Sequence, residues 1–227
     1  MSTELLEKYF TPNLQITSFD FRANKDQSAQ FKRVEAGKVR LPSGRLVATD
    51  GFDPGVVPFV ETAPCGQFPV EVFLGCLLKD VRPAASRIRF KNEAAVRWEP
   101  AQFDWGEDRP PFDDPFRMGV DSGTWCYMDK DLIDCHGEEL RAALEKAEDA
   151  AEENDYQLPP EGVMVNLEAG NTILFSSGTG DGFYASYWGF NEKNERVELV
   201  TDFGLLLLKN DKIVIANDWL IVAKSVI

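Results

Sequence analysis

The feature that most limits how this chain can fold is the stretch 68–78. There Phe68, Val70, Val72, Leu74, Cys76 and Leu78 alternate with mixed neighbours. A period of two puts every second side chain on one face, which defines a half-buried strand. The runs 86–90 and 95–99 repeat the theme more briefly. The runs 34–41 and 45–49 flank Pro42-Ser43-Gly44, a turn signature, and Gly51-Phe52-Asp53-Pro54-Gly55 marks a second turn. The last third is strand after strand, at 163–167, 172–176, 183–190, 196–200, 203–208, 212–216 and 220–226. Asn191-Glu192-Lys193-Asn194 and Lys209-Asn210-Asp211 read as hairpin connections, so a meander is expected. The polar stretch 19–30 shows little periodicity and reads as loop.

Two helices interrupt this pattern. A short one follows Ser2 or Thr3 as cap and runs over 4–10, stopped by Thr11-Pro12-Asn13. A long one follows His136-Gly137, with Leu140, Leu144, Ala147 and Ala151 forming an apolar stripe. Between Asp134 and Asp155 it carries nine acids against two bases. Residues 103–116 hold three prolines and five acids, which bars regular pairing and predicts an irregular acidic loop. At 227 residues the chain can bury about 70% of its unfolded surface, enough for a core without staples. The expected fold is mainly β (α+β). It is an antiparallel sandwich or bent sheet with one long acidic helix and a short N-terminal helix. One domain is expected over 1–227, with the helical excursion at 134–155.

Charge narrows the function. Twenty-four basic and 38 acidic residues give a net charge of −14, which repels phosphate backbones and argues against nucleic-acid binding. No apolar run reaches 18 residues, so no membrane-spanning helix is expected. The N-terminal residues lack the basic and apolar regions of a secretory signal, which points to the cytoplasm. Cys65, Cys76, Cys126 and Cys135 form no C-x-x-C pair, and there is one histidine, His136. A zinc site or a histidine-based nucleophile system has almost nothing to draw on, so no metal or cofactor is expected. The cysteines read as small buried or half-buried apolar residues, and His136 as a surface residue.

Two glycine-rich turns stand out. Gly119-Val120-Asp121-Ser122-Gly123 precedes one strand, and Gly178-Thr179-Gly180-Asp181-Gly182-Phe183-Tyr184 precedes another. Such turns can present carboxylates and free N–H groups, so Asp121, Ser122, Gly123, Asp129, Gly180, Asp181, Gly182 and Tyr184 are candidate ligand-binding residues. Asx-type turns that merely close tight corners are the simpler account of the same residues. The glycine spacing and the strand that follows exclude a dinucleotide fingerprint.

The leading functional expectation is a monomeric, non-enzymatic, acidic protein-binding module, an immunity- or antitoxin-like inhibitor of a basic partner. Glu145, Glu148, Asp149 and Glu152 on the long helix would meet that partner, since an acidic face speeds association with a basic one. The alternative is a small-molecule or metal-ion binding protein, or a hydrolase, built on Asp121, Asp129 and Asp181.

A series of short motifs runs in order along the chain. Gly44-Arg45-Leu46-Val47-Ala48-Thr49-Asp50 is followed by Phe68-Pro69-Val70-Glu71-Val72, Arg87-Ile88-Arg89-Phe90 and Val96-Arg97-Trp98-Glu99-Pro100-Ala101. Gly119-Val120-Asp121-Ser122-Gly123-Thr124, Gly180-Asp181-Gly182-Phe183-Tyr184, Ser186-Tyr187-Trp188-Gly189 and Leu199-Val200-Thr201-Asp202-Phe203 close it. This succession resembles the bacterial family called domain of unknown function 4241, over roughly residues 35–208. The resemblance implies a bacterial, cytoplasmic protein and brings no activity with it.

Overall fold

The structure is a computed structural model. It describes residues 3–20, 24–52, 57–107, 113–152, 158–159 and 161–220. In chain order the elements are α1 (Thr3–Lys8), β1 (Gln15–Asp20), β2 (Lys25–Leu41), β3 (Leu46–Asp50), β4 (Gly66–Leu77), β5 (Asp80–Arg89), β6 (Arg97–Pro100), β7 (Arg117–Val120) and β8 (Thr124–Asp129). There follow α2 (Lys130–Glu152), β9 (Val163–Asn166), β10 (Asn171–Ser176), β11 (Gly182–Phe190), β12 (Arg196–Asp202), β13 (Leu206–Lys209) and β14 (Lys212–Ile215).

All strand pairings are antiparallel, and the fold is mainly β. The large sheet runs β1-β2-β4-β5-β12-β11-β6, with β7 also paired to β11. The smaller sheet runs β3-β8-β10-β9, and β13 and β14 form a separate hairpin. The inner faces of the two sheets share one core, to which the large sheet sends Val72, Ile88 and Leu199 and the small sheet Trp125, Tyr127 and Phe175. Four buried hydroxyls cross it: Tyr127 bonds Ser86 at 2.7 Å and Thr201 at 2.5 Å, and Thr201 bonds Ser186 at 2.8 Å. Paired in this way, buried hydroxyls tie the sheets together instead of costing desolvation.

Each sheet also has a covered outer face. On the large sheet, Leu5, Leu6, Tyr9 and Phe10 at α1 pack with Phe73 and Phe31, joined by Leu206 and Trp219. On the small sheet, Leu132, Leu140 and Leu144 of α2 pack on Cys126, Met128 and Leu174. Each such leucine contributes about 1.5–3 kcal/mol on burial, which is what holds an Ala-rich helix with an acidic outer face in place.

The structure departs from the sequence expectations at several points. Within the stretch 19–30, residues 19–20 and 25–30 are strand and not loop, because Gln27, Ala29 and Phe31 alternate inward while their polar neighbours face out. Helix α2 starts at Lys130 and not at 134, and it breaks at His136 (φ −134°, ψ 27°), so the expected start at Gly137 marks its second half. Residues 153–155 of the expected helix lie outside the described residues. The C-terminal third is not one meander, since β10 belongs to the small sheet and β11 to the large. The expected strand 220–226 lies outside the described residues except for Leu220, whose N–H bonds Ala216 O in a helical turn. Of the four free cysteines only Cys126 is buried, its thiol pushed up to about 12 chiefly by burial, while Cys65, Cys76 and Cys135 are exposed. No described helix is long and apolar enough to cross a membrane.

Candidate functional site

The two glycine turns do meet. Val120 and Gly182 are paired in the β7–β11 ladder, and Thr124 and Ser176 in the β8–β10 ladder. Ser177 N–H donates to Gly123 O at 2.9 Å. Gly123 has φ 65°, and a Cβ there would lie 3.5 Å from Gly180 Cα and 3.9 Å from Asp181 Oδ1. Glycine is favoured here by the left-handed backbone, while the approach itself is an ordinary van der Waals contact.

The carboxylate that organises the first of these turns is one the sequence did not single out. Asp50 Oδ2 accepts from Asp121 N at 2.8 Å and Ser122 N at 2.9 Å, and its Oδ1 accepts from Ser122 Oγ at 2.5 Å and Phe52 N at 3.0 Å. The side chains of Asp121 and Asp181 are exposed. Tyr184 is buried and donates to Gly180 O at 2.5 Å, with Ser177 O at 3.2 Å. Its phenol is pushed up to about 12 by burial, so it stays protonated.

Asp129 is elsewhere. It lies at the far end of β8, about 17 Å of strand from Thr124. There it accepts from Ser43 N (3.0 Å), Ser43 Oγ (2.6 Å), Gly44 N (3.2 Å) and Asp131 N (3.0 Å). It caps α2 and locks the Pro42-Ser43-Gly44 turn. The structure thus brings Asp121 and Asp181 to one corner and leaves Asp129 outside it. Among the described residues no cluster of three His, Cys, Asp or Glu side chains suits a metal ion. Glu145, Asp149 and Glu152 are exposed and Glu148 is half-buried, on a helix whose Leu140, Leu144 and Ala151 face the sheet. His136 lies at the surface, 3.8 Å from Glu139.

A different constellation occupies the outer face of the large sheet. Ala185 of β11 is paired on one side with Arg117 of β7 and on the other with Asp202 of β12. Residues directly opposite in antiparallel strands share a face, so a cation, a methyl and a carboxyl lie on one rung. Two residues either way along β11, Phe183 and Tyr187 stand on that same face. Gly119 lies opposite Phe183, where a Cβ would come within 3.2 Å of the ring. With Leu206, Leu207 and Lys209 of β13 and Leu5 of α1, the rung and its two aromatic neighbours line a half-open cavity of about 720 Å³. The volume is within the range of small-molecule sites.

Electrostatics single out Asp202 in this cup. Tyr9 donates to its Oδ1, and Gly204 N–H donates to the same oxygen at 3.0 Å. Burial pushes the carboxyl up from 3.8 to about 6, with the hydrogen bonds from Tyr9 and Gly204 opposing the rise. Burial, with Asp202 nearby, pushes the Tyr187 phenol up to about 12 and raises that of Tyr9 well above its usual value. Both phenols are therefore neutral donors at ordinary pH. Arg117 is largely exposed and bonds Asp114 at 3.2 Å, and no ion pair joins it to Asp202. The cup therefore offers a carboxyl on one wall, a guanidinium on the other and an apolar floor. The one signal that could have located Asp202 is its parity in 196–202, which puts an acid on the same face as Val200 at the end of a buried strand.

The fold defines a mainly β, two-sheet protein with each sheet covered on its outer face, by α2 on one side and by α1 and a hairpin on the other. The chain belongs to the family described as protein of unknown function (DUF4241), whose model matches residues 39–201. No curated protein and no solved structure matches it. The matched span contains Arg117, Phe183, Ala185 and Tyr187 and ends one residue before Asp202. Leu5 and the 206–209 strand, which cover the cup, lie outside it.

Proposed function

We propose that the chain binds a small amphipathic organic molecule in the cup above Ala185. The observation that carries this reading is the rung Arg117–Ala185–Asp202, flanked by Phe183 and Tyr187 under a cavity of about 720 Å³. A small residue between two charged ones leaves floor space that a larger side chain would fill. Phe183, 43% exposed, and Leu207, 37% exposed, offer apolar surface that an occupant would cover.

The test uses anilinonaphthalene sulfonate, an aromatic ring system with one anionic group, titrated into the native protein. One saturable site is expected. Ala185→Phe, which fills the floor from a half-buried position, should weaken it about tenfold or more, the loss expected when a bound ring is displaced. Unchanged binding in that variant, with near-ultraviolet circular dichroism confirming a native core, sinks the reading.

A second reading is an acidic protein-binding module, an immunity- or antitoxin-like partner of a basic protein. What supports it is that no ion pair joins Glu145, Glu148 or Asp149 to another described residue, so that face projects uncompensated negative charge. Neutralising Glu145, Glu148, Asp149 and Glu152 together should flatten the salt dependence of binding to the basic partner. An unaltered salt slope removes this reading.

A further inference from the structure

We infer that the ligand of the cup is a small apolar or aromatic zwitterion, a molecule with both an ammonium and a carboxylate, of which an apolar amino acid is the simplest example. The inference rests on the proposed binding role and adds the chemical class of the occupant.

The argument is geometric. Neighbouring strands lie about 4.8 Å apart, so the Cα atoms of Arg117 and Asp202 are separated by about 10 Å across Ala185. The two side chains share a face but make no ion pair with each other. Each is steadied from behind, Arg117 by Asp114, and Asp202 by Tyr9 and the Gly204 N–H. Both bonds to Asp202 go to Oδ1, and among the described residues no hydrogen bond reaches Oδ2. Arg117 uses one Nε contact of its five donors.

An occupant with a single charge would engage one wall and leave unused either the remaining donors of Arg117 or Oδ2 of Asp202. An occupant with charges of both signs satisfies both walls. Its carboxylate meets Arg117, with Lys209 nearby, and its ammonium meets Asp202 Oδ2. An apolar body then rests on the Ala185 methyl between Phe183 and Tyr187.

The nearby arginine cluster offers no competing site of this kind. Arg87 is held by Glu71 and, at 3.2 Å, by Glu198, and Arg33 also points to Glu71, at 3.4 Å. Those arginines are matched by glutamates that are 11% and 8% exposed, whereas among the described residues Arg117 has one partner, Asp114, that is 39% exposed.

The experiment compares three probes by calorimetry, with anilinonaphthalene sulfonate as reference: L-phenylalanine, 3-phenylpropanoate, which lacks the ammonium, and phenethylamine, which lacks the carboxylate. L-phenylalanine should bind about 10- to 100-fold more tightly than either single-charge analogue, the worth of a hydrogen bond to a charged group. Asp202→Asn should erase its advantage over 3-phenylpropanoate and keep its advantage over phenethylamine. Arg117→Gln should do the reverse, and as a change at an exposed side chain it leaves the fold undisturbed. If anilinonaphthalene sulfonate binds but L-phenylalanine is no better than its analogues, the zwitterion assignment fails and the cup stands. If no probe binds, the cup itself fails.

Discussion

Asp50 and Asp129 on one side, and Asp202 on the other, are carboxylates taken out of water in opposite ways. Asp50 and Asp129 are 5% and 2% exposed, and among the described residues at least four hydrogen bonds reach each from backbone N–H and serine hydroxyl donors. Such a carboxylate is solvated by the protein, and its work is to hold turns. Asp202 accepts two bonds, both on one oxygen, and its carboxyl is pushed up to about 6. Its desolvation is only partly compensated, and it faces a cavity. The difference teaches that in this acidic chain burial alone does not mark a functional acid. Under the proposed binding role, the acid that matters is the one whose burial the protein leaves unfinished.

The largest expected effect tests the saturated pair. Asp50→Ala or Asp129→Ala leaves several buried donors without an acceptor and should cost about 3–5 kcal/mol in urea unfolding. Asp50→Ala should also loosen the 121–123 turn, seen as faster amide exchange at Asp121 and Ser122, whose N–H groups it holds. A loss below about 1 kcal/mol in both variants would break the comparison, because these carboxylates would then be no more structural than a surface charge.

Much of this architecture was legible in the chain, and the reasons differ by element. The strand at 68–78 was readable from its period of two, but it ends at Leu77 and is buried on both faces over residues 70–75, while Cys76 and Leu78 are exposed. The second half of α2 was readable because its leucines sit at helical spacing. The convergence of the 119–123 and 178–184 turns was legible only as a possibility, since glycine and aspartate report local backbone shape and not which corner lies beside which. The cup was not legible at all. Arg117, Ala185 and Asp202 come from three strands, and only the ladder registers Ala185–Arg117 and Ala185–Asp202 put them on one rung. Asp129 shows the opposite error. It looked like a ligand because it followed an aspartate turn, yet its position before Lys130 made it a helix cap, and a cap is spent on its own backbone. The first strand pair was missed because the inward residues at 27, 29 and 31 include a glutamine, which blurs the alternation.

The smaller effect sharpens the contrast through pH. A carboxyl at about 6 in the fold and near 3.9 when unfolded holds its proton longer in the native state. Between those values the unfolded chain has released a proton that the folded chain retains. Raising the pH through this window therefore lowers stability on account of Asp202. Asp202→Asn removes that dependence and keeps an oxygen for the Tyr9 and Gly204 donors. The variant should match the wild type near pH 4 and exceed it by about 1–2 kcal/mol above pH 7, a figure discounted for the partial exposure of the carboxyl. Chemical denaturation of both proteins at pH 4, 5.5 and 7.5 reads this directly. The same series for Asp50→Asn should show the variant below the wild type at neutral pH, because there an amide replaces a carboxylate that the protein has fully solvated. If both variants move in the same direction, the distinction between the finished and the unfinished carboxylates is lost.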